Sequence, residues 1–337
     1  MVPLLVKEVT KKHNAARSGT CFDALVYEIA VQVIAQLSNR GDLWSLALVS
    51  RHYNEITTPF LYSDIRLLPC TTLESNSLPH ASVLSAQRCF RATLETRPHL
   101  ALCVRRISWH LDGDKDDISS FARFLFSMGN IQEAHFASSY ALTRFSSSAI
   151  LPKCQTMTLE GLTSLDFAMS VLHPHQLQTL SLDSDYQFTI PILEWIPHQS
   201  FPHITSIHLY LRFQVVLSTP APGEYQAFMA CKQVLLSLRG TLENVTIGLR
   251  KAKSGHATFS FLSNPLANAA QKLPRYVLPV FLEEKFPRMR RLLLEGMRIG
   301  HPGISPRLIE DIQAAIPLMT IDILPAKSVG SSRLSMK

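Results

Sequence analysis

One apolar signature recurs eight times between Val104 and Ile323: an apolar residue, a second three positions on, and a third two positions beyond that. The instances are Val104/Ile107/Trp109, Ile131/Ala134/Phe136, Cys154/Met157/Leu159, Leu177/Leu180/Leu182, Ile204/Ile207/Leu209, Leu242/Val245/Ile247, Met289/Leu292/Leu294 and Leu318/Ile321/Ile323. In an extended strand the side chains alternate between two faces, so the last two residues of each instance share one side while the first turns the chain into the strand. A unit this short cannot enclose its own apolar side. Stacking the units side by side buries all eight.

The middle residues of successive instances stand 27, 23, 23, 27, 38, 47 and 29 positions apart. That series brackets the roughly 20–29-residue period of leucine-rich repeats, with insertions in two intervals. Between the strands, Ile118 to Phe126 and Tyr225 to Leu238 carry helical periodicity and are predicted as part of an outer layer. The expected architecture beyond residue 98 is therefore a mixed α/β, irregular leucine-rich-repeat solenoid with short parallel strands and outer helices. The asparagine that regularly follows such strands is missing, and Glu160-Gly161, Asp183-Ser184 and Glu295-Gly296 stand there instead. The competing arrangement is an ordinary α/β sandwich or open parallel sheet, which the unequal spacing favours.

Upstream the period changes. Leu25, Val26, Ile29, Val33, Ile34 and Leu37 recur at spacings of three and four, with Glu28, Gln32 and Gln36 between them, as in an amphipathic helix. Asp23 is predicted to cap it, Ser38-Asn39-Arg40-Gly41 supplies turn chemistry, and Asp42 is predicted to cap a second helix carrying Leu43, Leu46 and Ala47. A third apolar segment through Val49, Tyr53 and Ile56 is expected to end near Pro59, because proline removes a backbone donor and disfavours helix in the residue before it. Three short helices in about forty residues bury little alone and gain from a partner.

Taken in order, Leu25-Val26-Tyr27-Glu28-Ile29, then Ile34 and Leu37, Asp42-Leu43, Leu46-Ala47-Leu48-Val49-Ser50-Arg51, and Pro59-Phe60-Leu61-Tyr62 with Ile65 and Leu67 resemble the F-box of many fungal proteins. That family opens on Leu-Pro and Glu-Ile or Glu-Leu, continues through Asp-Leu and Val-Ser-Arg, and often closes on Pro-x-Leu-Tyr. Val26 stands here in place of the proline. The resemblance spans residues 21–68 and implies a three-helix module in which Leu25, Val26, Ile29, Ile34, Leu37, Leu43 and Val49 bind a Skp-type adaptor and, through it, a cullin. It further implies a non-catalytic substrate-receptor subunit of a Skp-cullin-F-box ubiquitin ligase, whose repeat array holds a target protein. The degenerate array is similar to the divergent leucine-rich regions that follow F-boxes in fungal proteins. The alternative is a leucine-rich scaffold whose F-box-like cap, lacking the proline, no longer binds the adaptor.

The expected division is a tail over 1–18, the F-box-like module over 19–68, a linker and helical segment over 69–98, the array over 99–325 and a second tail over 326–337. Polar loops are expected from Pro69 to Pro79 and from Lys251 to Lys272. On the array, the outward position of each strand belongs to Ser108, His135, Thr158, Ser181, His208 and Thr246, followed by Leu293 and Asp322. These are the expected partner-binding residues.

No catalytic residue, metal site or cofactor is predicted. G-x-S-x-G, G-x-x-x-x-G-K-[ST] and G-x-G-x-x-G are all missing. The acidic run from Asp112 to Asp117 has its glycine misplaced for a calcium loop and Arg123 where the bidentate glutamate belongs. His173-Pro174-His175 lacks a third ligand at a useful spacing. The net charge of +7 is dispersed, apart from Arg250-Lys251-Lys253 and Arg288-Arg290-Arg291, and no recognition motif accompanies it, so no nucleic-acid partner is expected. Cys21, Cys70, Cys89, Cys103, Cys154 and Cys231 form no C-x-x-C pair, which fits a reducing compartment. Lys7, Glu8, Lys11 and Lys12 break the apolar run at Met1 to Val6, and no stretch approaches the roughly 20 apolar residues that span a bilayer. With 46 % hydrophobic and 18 % charged residues, the expectation is a globular intracellular protein of the cytoplasm, the nucleus or both, with no membrane partner.

Overall fold

The computed structural model describes residues 27–37, 39–69, 80–111, 118–138, 150–213, 223–251, 272–297, 299–300 and 304–325. The chain divides into two compact units, Met1–Ser63 and Asp64–Lys337.

Among the described residues of the first unit three helices follow in close succession: α1 (Tyr27–Ala35), α2 (Arg40–Ala47) and α3 (Arg51–Leu61). Ala30 and Ile34 meet Leu43, Tyr53 and Ile56 in a small core, against which Tyr27, Val31, Leu37, Leu46, Phe60 and Leu61 lie half-buried. Asn39, not Asp42, caps α2: its Oδ1 accepts the Gly41 amide at 2.9 Å, and Asp42 sits inside the first turn, where its charge complements the helix dipole. Asp23 lies outside the described residues. Ser50 caps α3 by accepting the Tyr53 amide. Pro59 does not end that helix, which runs on to Leu61 and closes with the Tyr62 amide on the Thr58 carbonyl. So near the C-terminus a proline removes one of the last intrahelical bonds and little more.

The second unit is a mixed α/β structure with, among the described residues, nine strands: β1 (Asp64–Leu67), β2 (Arg106–Leu111), β3 (Glu133–Ser138), β4 (Thr156–Gly161), β5 (Thr179–Asp185), β6 (Ser206–Phe213), β7 (Asn244–Lys251), β8 (Arg291–Glu295) and β9 (Thr320–Leu324). They form one sheet whose order follows the chain without reversal, every neighbouring pair parallel. Parallel neighbours need a crossover between them. Helices α4 (His80–Thr96), α5 (Ile118–Ser127), α6 (Leu165–Val171), α7 (Tyr186–Trp195), α8 (Gly223–Leu238), α9 (Val280–Glu283) and α10 (Pro306–Ala315) lie in those connections.

The recurring signature sets the register. Ile107, Ala134, Met157, Leu180, Ile207, Val245, Leu292 and Ile321 are successive Cα partners, and so are Trp109, Phe136, Leu159, Leu182, Leu209, Ile247, Leu294 and Ile323. Both rows are buried from β2 through β8. Ile65 and Leu67, which the sequence attaches to the helical module, extend the same rows in β1. At the β2–β4 end the rows merge with Phe90, Phe121, Phe124 and Phe167, whose rings stack edge-to-face or tilted around Trp109 and Phe136. Such pairs add to the stabilisation that comes from area burial.

A second backbone device repeats with the strands. The Arg105 carbonyl accepts two consecutive amides, Gln132 and Glu133, and Gln132, Gln155, Gln178, Thr205 and Glu243 do the same for the strand that follows, at 2.7–3.1 Å. The last unit breaks the pattern. Leu318, expected as its first apolar residue, is 92 % exposed, and Met319, at 2 %, takes the buried place. Pro317 halts helical bonding after Ile316. The Met319 amide then turns back to the Ile316 carbonyl and leaves Thr320 alone on Arg290.

Among the described residues, no helix is long and apolar enough to cross a membrane.

Gly161 ends β4 and Gly296 directly follows β8, each with φ near +80°, and a Cβ on Gly161 would collide with the Ser138 carbonyl. Only glycine accepts both that backbone conformation and that contact. Gly161→Ala is expected to destabilise the fold by about 1–3 kcal/mol in urea unfolding. Gly240→Ala, where a Cβ meets open space, is the control and is expected to stay within about 0.5 kcal/mol of wild type. Equal effects at the two sites would contradict the assignment.

Candidate functional site

Two surfaces, one in each unit, collect the residues that sequence reasoning singled out. In the helical unit, Leu25 and Val26 lie outside the described residues. Ile34 and Leu43 are core residues, Leu37 is half-buried, and Ile29 and Val49 are exposed. Three further apolar residues stand in solvent with them. Ile29, Val33, Trp44, Leu48 and Val49 are each between 47 % and 70 % exposed. Ile29 and Val33 are one turn apart on α1, and Trp44 and Leu48 are one turn apart along and just beyond α2, so each pair shares a face. Sequence periodicity missed Trp44 and Leu48 because apolar residues from Leu43 to Val49 occur on every side of α2 and its exit, and no stripe stands out.

On the sheet, the predicted partner-binding residues form one continuous row. Ser108, His135, Thr158, Ser181, His208 and Thr246 are successive Cα partners, and Leu293 and Asp322 extend the row to β9. Neighbouring strands are about 4.8 Å apart, so the row is a strip of closely spaced hydroxyls and imidazoles. All are half-buried except Thr246, which is buried. The His208 Nδ1 and Thr246 Oγ1 lie 2.9 Å apart. Burial pushes the His208 pKa below its ordinary value.

Beside this strip runs an ionic ladder. Glu160 on β4 accepts from Arg212 Nη2 at 2.8 Å, and Arg212 Nε donates to Asp183 on β5 at 2.6 Å. Asp183 in turn accepts from Arg250 on β7, and Arg250 Nη2 reaches Glu295 on β8 at 3.3 Å. His135 Nε2 stands 3.2 Å from Glu160 Oε2 at the other end. The Arg250 guanidinium lies 3.6 Å from the centroid of the Tyr210 ring, a cation–π contact. Gly248 makes room for that ring, because a Cβ there would overlap it. Five strands, β4 to β8, are thereby tied across their outward side by acids and arginines, and His135 extends the contacts to β3.

The electrostatics agree with the geometry. Burial alone lowers the Arg212 pKa, yet the hydrogen bonds and charges of Asp183 and Glu160 outweigh it and leave it above the ordinary value. Tyr210 is pushed up by burial and then by the nearby Glu295 carboxylate. The buried thiols of Cys154 and Cys231 are each pushed up to about 12, so both behave as inert core groups. Among the described residues no three His, Cys, Asp or Glu side chains are grouped to hold a metal ion. His173 and His175 stand with ring centroids 6.0 Å apart, and the Asp112–Asp117 run lies outside the described residues.

The ladder was not among the residues predicted to act, although its acids are visible in the sequence. Glu160, Asp183 and Glu295 each follow the third apolar residue of their signature by one position, and they read as substitutes for asparagine. On β6 and β7 that column holds Tyr210 and Gly248, with Arg212 and Arg250 two residues further along the same face. Acids in one column and arginines in the next were the available signal.

No family model matches this chain, and no curated protein is significantly similar to it in sequence.

Arg212 has a side chain only 7 % exposed between two carboxylates. Arg212→Met removes the charge and leaves both acids buried or half-buried without it, an expected loss of about 3–5 kcal/mol. Adding Asp183→Asn is expected to restore part of that loss, so that the two substitutions are strongly non-additive in a double-mutant cycle. Additive losses would mean that the two side chains do not act as a pair.

Proposed function

We propose that this chain is a substrate-receptor subunit of a Skp-cullin-F-box ubiquitin ligase, with no covalent chemistry of its own. The helical unit docks on a Skp-type adaptor, and the outward strip of the sheet holds a target protein. The observation that carries the reading is the exposed apolar surface of α1, α2 and the residues just after α2. Five large apolar side chains in solvent on so small a unit are a docking surface by composition, because a module of this size gains its stability from what covers it. The ordered residue pattern from Tyr27 to Tyr62 supports an F-box-like identity for the unit. Parallel strands in strict chain order, each contributing the same two apolar rows, are what a stack of leucine-rich units requires.

In this role the protein acts through proximity. Holding a target lysine beside a ubiquitin-charged enzyme turns a bimolecular transfer into an effectively intramolecular one. The half-buried hydroxyls and imidazoles of the row from Ser108 to His208 give such a target polar partners on a rigid support.

A second reading is a leucine-rich scaffold that binds no adaptor. Its specific support is that Ile34 and Leu43, two residues the F-box pattern assigns to the adaptor, are consumed in the unit's own core.

Co-expression with a Skp-type adaptor, followed by size-exclusion chromatography, separates the two. Wild type is expected to co-elute with the adaptor. Trp44→Glu combined with Leu48→Glu changes only exposed positions, so the chain is expected to stay folded and to elute alone. A folded wild-type chain that never co-elutes leaves the scaffold reading in place.

A further inference from the structure

The outward row and the ionic ladder meet at one side chain. His135 stands in the row between Ser108 on β2 and Thr158 on β4, and its Nε2 lies 3.2 Å from Glu160 Oε2. The other oxygen of Glu160 accepts from Arg212 Nη2 at 2.8 Å, so Glu160 is an ionised carboxylate facing a guanidinium and can only accept. A neutral imidazole carries one N–H and one acceptor nitrogen. An unprotonated Nε2 would set two acceptors against each other at 3.2 Å, so the proton belongs on Nε2 and the lone pair on Nδ1. Among the described residues nothing bonds Nδ1, and the His135 side chain is 31 % exposed. The other imidazole of the row differs, because His208 Nδ1 is already engaged with Thr246 Oγ1 at 2.9 Å.

We infer that His135 is a specificity-determining residue of the strip and Glu160 its positioning residue: Glu160 holds the ring in the Nε2–H form, Nδ1 offers an acceptor to the target, and the group that it takes is an N–H or O–H donor. The target side of this inference rests on the partner-binding reading of the strip, whereas the state of the ring does not. The neighbouring hydroxyls of Ser108 and Thr158 can turn to donate or to accept and so do not discriminate. At His135 the polarity is fixed. A target group that only accepts, such as a carboxylate or a carbonyl, meets a lone pair there and forfeits the bond it had with water. Fixing a ring through a carboxylate behind it is the arrangement by which histidines are oriented in other kinds of site as well.

Long-range proton–nitrogen correlation of the imidazoles in the full chain, with His135 assigned from His135→Phe, reads the ring at a pH where it is neutral. The expected wild-type state is the Nε2–H tautomer. In Glu160→Gln the amide oxygen stays on Arg212 and the NH2 group faces His135 Nε2, which must then accept, so the proton is expected to move to Nδ1. For the target side the probe is a displayed random-peptide library, selected on the full chain and depleted on a chain whose row is blocked by Ser108→Arg and Ser181→Arg. Peptides that remain are expected to bind about tenfold more weakly to His135→Phe and to Glu160→Gln, the second of which keeps the histidine and reverses its polarity. A wild-type ring in the Nδ1–H form, a ring that Glu160→Gln leaves unchanged, or row-bound peptides indifferent to both substitutions overturns the inference. If the library yields no row-bound peptide, the partner-binding reading fails and the donor preference with it, while the spectrum tests the ring separately.

Discussion

The sheet of the second unit depends on a shared carbonyl. The residue just before each strand offers one backbone oxygen to two consecutive amides at the start of the next, from Arg105 through Glu243. That fork fixes how far each strand is shifted along its neighbour. Because side-chain direction alternates along a strand, a shift of one residue would turn every apolar row to the solvent side. The fork and the rows thus enforce one register, with the rows supplying the free energy at roughly 1.5–3 kcal/mol per fully buried large side chain. Past Glu243 the next such carbonyl, Arg290, keeps one prong, to the Thr320 amide of β9, and there the rows are half-open as well.

The two sides of the sheet are held by different physics. The inward side is closed by apolar contact, which is insensitive to partner identity. The outward side is held by Glu160, Asp183, Arg212, Arg250 and Glu295, each charge answered by a neighbour on another strand. Charges taken from water cost more than their attraction returns unless the geometry is close, and here each guanidinium bonds two carboxylates. An outward side stiffened in this way presents the row from Ser108 to Thr246 with little freedom to adjust. Binding to such a support loses less entropy than binding to mobile loops.

Much of this was legible in the sequence, for a stated reason. The apolar signature is a local pattern with a local cause, and eight of the nine strands, their parallel register and the outward row could be read from spacing alone. Ile65 and Leu67 were assigned elsewhere because β1 follows a helix directly and stands 42 residues from the next unit, measured between Ile65 and Ile107. Leu318 was misplaced because the signature assumes three residues of approach, and Pro317 shortens the turn. The ladder escaped because Arg212 and Asp183 are 29 residues apart, and nothing local links an acid on one strand to a base on the next until register brings them together. At α2 the difficulty was the reverse, since apolar residues on all sides concealed the exposed pair Trp44 and Leu48.

The central functional claim is that one unit docks an adaptor and the other holds a target. Hydrogen–deuterium exchange of the full chain with and without a Skp-type adaptor tests it residue by residue. The account predicts slowed exchange over Tyr27–Val49, where Ile29, Val33, Trp44, Leu48 and Val49 stand exposed, with unchanged exchange over β2 to β8. Protection that falls on the sheet instead, or an adaptor that changes neither region, would contradict it.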